Sequence, residues 1–199
     1  MVRVGLIVAV VTGCTYSAPE LPGDGPVTLD TPVDTPVDMP PDMMTTPFWT
    51  AVVGADAVGN TLKKTTAFTG WGDAGATSFA SVPSGDCFVE FKTAESTTAK
   101  AVGLSRGDTN QSFNDIDFDL VLGTNKKVYI YEGAVLRGQV ATYDTADTFR
   151  VEVVGGVVGY RQNGTLLFTS LLTHAYPLLV DAALYSPDAT ITDVVFSDQ

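Results

Sequence analysis

The sequence predicts an all-β fold, an antiparallel two-sheet sandwich, over residues 47–199. Three observations predict it. No window carries apolar residues at helical spacing. Short runs of period two recur instead, rich in Val, Phe, Tyr and Thr, and Gly, Asn and Asp punctuate them. The segment's 153 residues suit one domain with its own core.

In chain order, Cys87, Val89 and Phe91 alternate with Phe88, Glu90 and Lys92, which predicts a strand with one apolar face. Ile116, Phe118, Leu120 and Leu122 alternate with Asp115, Asp117 and Asp119, which predicts a strand with three carboxylates opposite its apolar row. Further strands are expected at Lys127–Glu132, Thr148–Val154, Val157–Arg161, Leu166–Ser170, Pro177–Tyr185 and Thr190–Phe196. Turn signals stand between them at Glu132-Gly133, Gly155-Gly156 and Asn163-Gly164. Asn-Gly between two alternating runs is a strong hairpin cue.

Upstream the composition changes. Eight of the eleven prolines fall between residues 15 and 47, and Glu20, Asp24, Asp30, Asp34, Asp38 and Asp42 have no Lys or Arg among them. Asp30-Thr31-Pro32-Val33, Asp34-Thr35-Pro36-Val37 and Asp38-Met39-Pro40-Pro41 form a four-residue period. Proline removes backbone donors and fixes φ, and too few large apolar groups remain to offset the entropy of ordering. A disordered, extended, self-repelling tether is expected over 14–46, able at ~3.1 Å per residue to reach about 100 Å.

Before it, Arg3, the apolar run Val4–Val11 and the ending Val11-Thr12-Gly13-Cys14 have the layout of an export signal. Eight apolar residues are far below the roughly 20 that span a bilayer. Ending on Cys, the segment resembles the lipobox of bacterial lipoproteins. That resemblance implies a signal peptide over 1–13, cleavage before Cys14, and acylation (palmitate-type) of its thiol and new N-terminus. Thr15 instead of Asp at the next position resembles the sorting pattern for the outer membrane, so a lipid-anchored place in the bacterial cell envelope is expected. Loss of Arg3 with the leader leaves 10 basic against 23 acidic residues. Such a chain is repelled by phosphate backbones, so nucleic acid is not an expected partner. Its membrane link would be the acyl chains.

A second resemblance covers 48–197. The strings "SGDCFVEF", "GLSRGDTNQSFNDIDFDL" and "DTFRVEVVGGVVGYRQNGTLLFTS" look like a bacterial cell-surface module related to SPRY domains and concanavalin A-like lectin/glucanase jelly rolls. The pattern usually has Gly where this chain has Cys87 and a small residue where it has Asp119. The resemblance implies two stacked antiparallel sheets, with binding by rim loops or by the concave sheet.

Several residue groups could carry chemistry. Asp115, Asp117 and Asp119 resemble the acidic strand of laminarinase-type glucanases, whose outer acids serve as nucleophile and acid/base. Retaining glycosidases need their carboxyls about 5–5.5 Å apart, and each Asp here is one methylene shorter than Glu. The competing expectation is an acidic solvent face pairing with Lys126, Lys127 or Arg150. Asp108, Asn110, Ser112 and Asp115 place side-chain oxygens along one loop, a common way to hold calcium. Phe113 and Asp119 stand where an EF-hand loop would want Gly and Glu. The alternative is a polar turn bonding its own backbone.

Trp71, in the Gly-rich "TGWGDAG", is either a ligand platform or a corner closing the sandwich. Tyr143, Tyr176 and Tyr185 are further ligand candidates or strand residues. His174 is the sole histidine, which excludes a His-rich zinc site. With Cys14 acylated, Cys87 has no disulfide partner and is expected buried. The leading expectation is a non-catalytic anchored module, with no required cofactor beyond possible calcium, that binds a glycan or a surface protein. A glucanase-like hydrolase and a purely structural envelope component are the alternatives.

Overall fold

The computed structural model describes residues 48–198. The leader, Cys14 and the 14–46 tether lie outside the described residues. Fourteen strands and one 3-10 turn make up the domain: β1 Trp49–Val53, β2 Ala55–Val58, β3 Thr61–Lys64, β4 Gly75–Val82, β5 Cys87–Lys92, β6 Lys100–Ser105, the turn Phe113–Asp115, β7 Phe118–Leu122, β8 Lys127–Glu132, β9 Val135–Thr142, β10 Phe149–Val154, β11 Val157–Gln162, β12 Thr165–Thr169, β13 Leu178–Leu184 and β14 Thr190–Asp198. They form two seven-stranded sheets, ordered β1-β4-β13-β6-β7-β8-β9 and β12-β11-β10-β5-β14-β3-β2, and every strand pairing is antiparallel.

The inner rows of the two sheets make the core. Cys87, Val89 and Phe91 of β5 point into it beside Phe149, Val151 and Val153 of β10. Leu120 and Leu122 of β7 and Val128 and Ile130 of β8 supply it from the other sheet. Alternation decides these faces. The hairpin expected at Asn163-Gly164 joins β11 to β12, with both residues at positive φ. Tertiary packing buries Cys87 completely, as its inward parity required.

A second, smaller apolar cluster lies on the outer face of the first sheet. Ala101, Val121 and Ala183 rise from three adjacent strands and meet Ile116 from the chain that leads out of the 3-10 turn. Residues 106–117 therefore roof part of that face. The roof explains why β6 and β7 are buried at every position and show no polar alternation.

It also corrects one expected strand. β7 begins at Phe118, so Asp115 and Asp117 are not strand residues. Asp115 ends the 3-10 turn, in which Ser112 Oγ accepts from Asn114 N at 3.4 Å and Ile116 N donates to Phe113 O at 3.2 Å. Ile116 is buried by the roof's own packing, and this produced an apolar–acidic alternation without a ladder.

Candidate binding site

Two features share the outer face of the first sheet: an aromatic depression and a set of carboxylates. The depression is built on the row Gly75–Ala183–Ala101–Val121–Tyr129, whose small residues leave the sheet low. Trp71 leans over it from the loop before β4 and Tyr185 from the end of β13. Their rings lie 5.1 Å apart at 56°. Phe113 of the roof meets Trp71 at 4.9 Å and Tyr131 of β8 at 4.9 Å, so the aromatics form one continuous chain. Trp71, Tyr129 and Tyr185, with Ala99, Gly123, Thr124 and Asn125, line an open hollow of about 350 Å³. Asn125 Nδ2 donates to the Tyr129 hydroxyl at 2.9 Å.

The Trp71 loop is fixed from beneath. Lys64 is fully buried, and its Nζ donates to Asp73 Oδ1 at 2.6 Å, Tyr185 O at 2.9 Å, Leu184 O at 3.0 Å and Gly70 O at 3.3 Å. Gly70 N donates to Tyr185 O at 3.1 Å and Gly72 N to Gln111 O at 3.0 Å. Burial alone would raise the Asp73 carboxyl, but hydrogen bonds from Lys64 and Thr66 outweigh it and hold it below the ordinary value. Trp71 therefore closes a corner and also lines the hollow.

The carboxylates occupy the neighbouring row, Thr77–Asp181–Gly103–Asp119–Tyr131. A Cβ on Gly103 would stand 2.0 Å from Phe118 O, so only glycine permits this approach of β6 and β7. Asp119 is fully buried, and neither of its carboxylate oxygens has a partner. Burial first, and the Asp181 charge second, push its carboxyl well above the ordinary value. Asp181, 3 % exposed, has Oδ2 unpartnered, and burial followed by the charges of Asp108 and Asp115 pushes it up to about 8.

Of the three acids expected on one strand face, Asp115 accepts from Thr109 Oγ1 at 2.6 Å, Asp117 accepts from Arg106 N at 2.8 Å, and Asp119 is sealed in. They do not present a shared catalytic face. Nor do they pair with the cations expected for them: Arg150 bonds Glu90 at 2.7 Å, and Lys126 reaches Asp144 at 3.7 Å.

The expected calcium loop is partly brought together. One oxygen each from Asp108, Asp115 and Asp181 lies within 4.8 Å of the others. Asn110 and Ser112 are occupied elsewhere, since Asn110 Oδ1 accepts from Ser112 N at 2.8 Å and Ser112 Oγ caps the 3-10 turn. Asp181 is the member that sequence reasoning missed. An Asp within the apolar run "LLVDAAL" is the signal that could have found it.

Tyr143 and Tyr176 are not part of the hollow. Tyr143 is buried in the core, where its hydroxyl donates to Gly123 O at 3.1 Å. Tyr176 stacks edge-on against His174 at 4.8 Å, packs on the core and bonds Gly85 O. Trp71 precedes β4 and Gly85 follows it, so at ~3.3 Å per residue some 25 Å of strand separates the two corners.

No family model matches the chain, and no curated protein matches it. Among solved structures, it is similar to the SPRY domain of human HERC1 at 15% identity, over 76% of this chain and 95% of that one, with a TM-score of 0.53. The chain folds as a SPRY-like β-sandwich. The TRIM65 PSpry domain gives a TM-score of 0.56 at 11% identity, over 76% and 92% of the two chains. The metal-free carbohydrate recognition domain of Emp46p gives 0.52 at 10% identity, over 76% and 88%. In the SPRY-like sandwich of this chain, the roofed outer face with its aromatic hollow is the feature that framework positions.

Proposed function

We propose that this SPRY-like sandwich is a non-catalytic binding module and that the hollow of Trp71, Tyr129 and Tyr185 holds a sugar ring of a surface glycan. One observation carries the reading: tilted, half-buried rings converge over an open hollow whose rim carries the amide of Asn125. A sugar offers an apolar C–H face to such rings and hydroxyls to such an amide. The shared fold of the Emp46p carbohydrate recognition domain supports the same class of ligand. The sealed Asp119 and the dispersed Asp115 and Asp117 argue against a hydrolase. The module sits at the end of an acidic tether on a lipid-anchored Cys14 at the outer membrane, a reading that rests on the lipobox-like leader and is tested by mass spectrometry of the native N-terminus. The net negative charge argues against nucleic acid as a partner.

A glycan array probed with the full-length chain tests the binding reading. Binding is expected, and Trp71→Ala is expected to weaken the strongest hit by about thirtyfold, the loss typical of a central aromatic contact. A silent array, or a hit that Trp71→Ala leaves unchanged, overturns it.

A further inference from the structure

We infer that Asp108, Asp115 and Asp181 form a site for one hard divalent cation of the calcium class, which ties the roof of residues 106–117 to strand β13.

Three oxygens from two distant parts of the chain converge within 4.8 Å of one another. Asp181 comes from the sheet and is nine-tenths buried, and its Oδ2 has no hydrogen-bond partner. One oxygen of that carboxylate converges on those of Asp108 and Asp115, an arrangement that costs free energy unless a proton or a cation neutralises it. Among the described residues, no lysine, arginine or histidine forms an ion pair with Asp108, Asp115, Asp117, Asp119 or Asp181. The two fully buried lysines are committed elsewhere, Lys64 to Asp73 and Lys100 to Glu95.

The loop is shaped to hold its two acids toward this point. Asp108 Oδ1 accepts from Asn110 N at 2.9 Å, and Asp115 accepts from Thr109 N, Thr109 Oγ1 and Asn110 N. These donors occupy part of each carboxylate and leave lone pairs free. An open recess of about 370 Å³, lined by Ser105, Arg106, Gly107, Thr109, Asp115 and Asp117, adjoins Asp115 and admits water and ions. Three carboxylates with water access match calcium, which accepts six to eight oxygens in irregular geometry. Magnesium demands a near-ideal octahedron and keeps most of its water.

The test is calorimetric titration of calcium chloride into the chelator-treated full-length chain, with thermal melts at each calcium level. One calcium per chain is expected. A hundredfold excess over Kd should raise the melting midpoint by about 5–10 °C. Asp181→Asn and Asp108→Asn should each abolish both signals. The second lies in an exposed loop and keeps the test valid if the first fails to fold. Magnesium at the same level should give less than half the shift. Terbium emission sensitised through Trp71, which contacts the roof at Phe113, should appear in the parent and vanish in Asp108→Asn. No heat and no shift in the parent chain would overturn the site, as would unaltered calcium binding by Asp108→Asn or a magnesium response equal to that of calcium.

Discussion

Lys64 Nζ and Asp73 Oδ1 lie 2.6 Å apart, and this pair sets the height of Trp71 above the sheet. The ammonium is fully buried and collects three backbone carbonyls besides the carboxylate. Two of these, Gly70 O and Tyr185 O, belong to the segments that carry the hollow's rings. Removing one partner of a buried pair leaves the other uncompensated and costs about 3–5 kcal/mol. Lys64→Met should therefore destabilise by about that amount in urea unfolding. It should also move the Trp71 emission toward that of an exposed indole in the folded state. A variant with parent-like stability and emission would refute this anchoring role.

The second buried lysine gives a pH prediction. Lys100 Nζ bonds Glu95 and, at 2.6 Å, Thr93 Oγ1, while Glu95 Oε1 also accepts from Thr98 Oγ1 at 2.6 Å and Thr190 N at 2.8 Å. Burial would raise the Glu95 carboxyl, but the bonds from Lys100, Thr190 and Thr98 prevail and hold it below the ordinary value. A depressed acid contributes stability above its unfolded pKa and loses it as pH falls through the folded one. Glu95→Gln should therefore cost about 3 kcal/mol at pH 7, and the difference from the parent should shrink below pH 4. A constant difference between pH 7 and pH 3 would show that the pair contributes packing rather than charge.

Tyr143 separates core from site. Its ring packs edge-on against Phe149 at 5.8 Å, and its hydroxyl satisfies Gly123 O. Tyr143→Phe should cost about 1 kcal/mol, the usual worth of such a bond, and leave ligand affinity unaltered. A stability loss near zero together with a drop in affinity would place it in the site after all.

Much of this architecture is legible in the letters because half-buried strands advertise themselves. β5, β8, β10 and β11 alternate, and each expected run except 115–122, which starts three residues before β7, matches an observed strand to within two residues at both ends. β6 carries no such signal, since the roof buries its second face. The same roof turned Asp115 and Asp117 into an apparent strand. Trp71 was legible because a large aromatic among glycines lacks local neighbours. Tyr129 was not, because inside "KVYIYE" it reads as any strand tyrosine. Asp181 was hidden for a different reason. Its partners are some 70 residues away in sequence, and only the pairing of β13 with β6 brings them together.

Cys87 offers the last prediction. It sits fully buried in the core, with no disulfide among the described residues. Burial first, then the negative charges of Asp86 and Asp198, push its thiol up to about 11. Thiolate is the reactive form, so two barriers protect the sulfur: little of it is ionised at neutral pH, and reagent cannot reach it. An aromatic disulfide reagent at pH 8 should leave Cys87 unmodified for hours in the folded chain and titrate it at once in denaturant. The native rate should rise in step with destabilisation by Lys64→Met, since modification then reports the opened state. Fast labelling of the stable parent would show that the end of β5 opens locally, independently of the core.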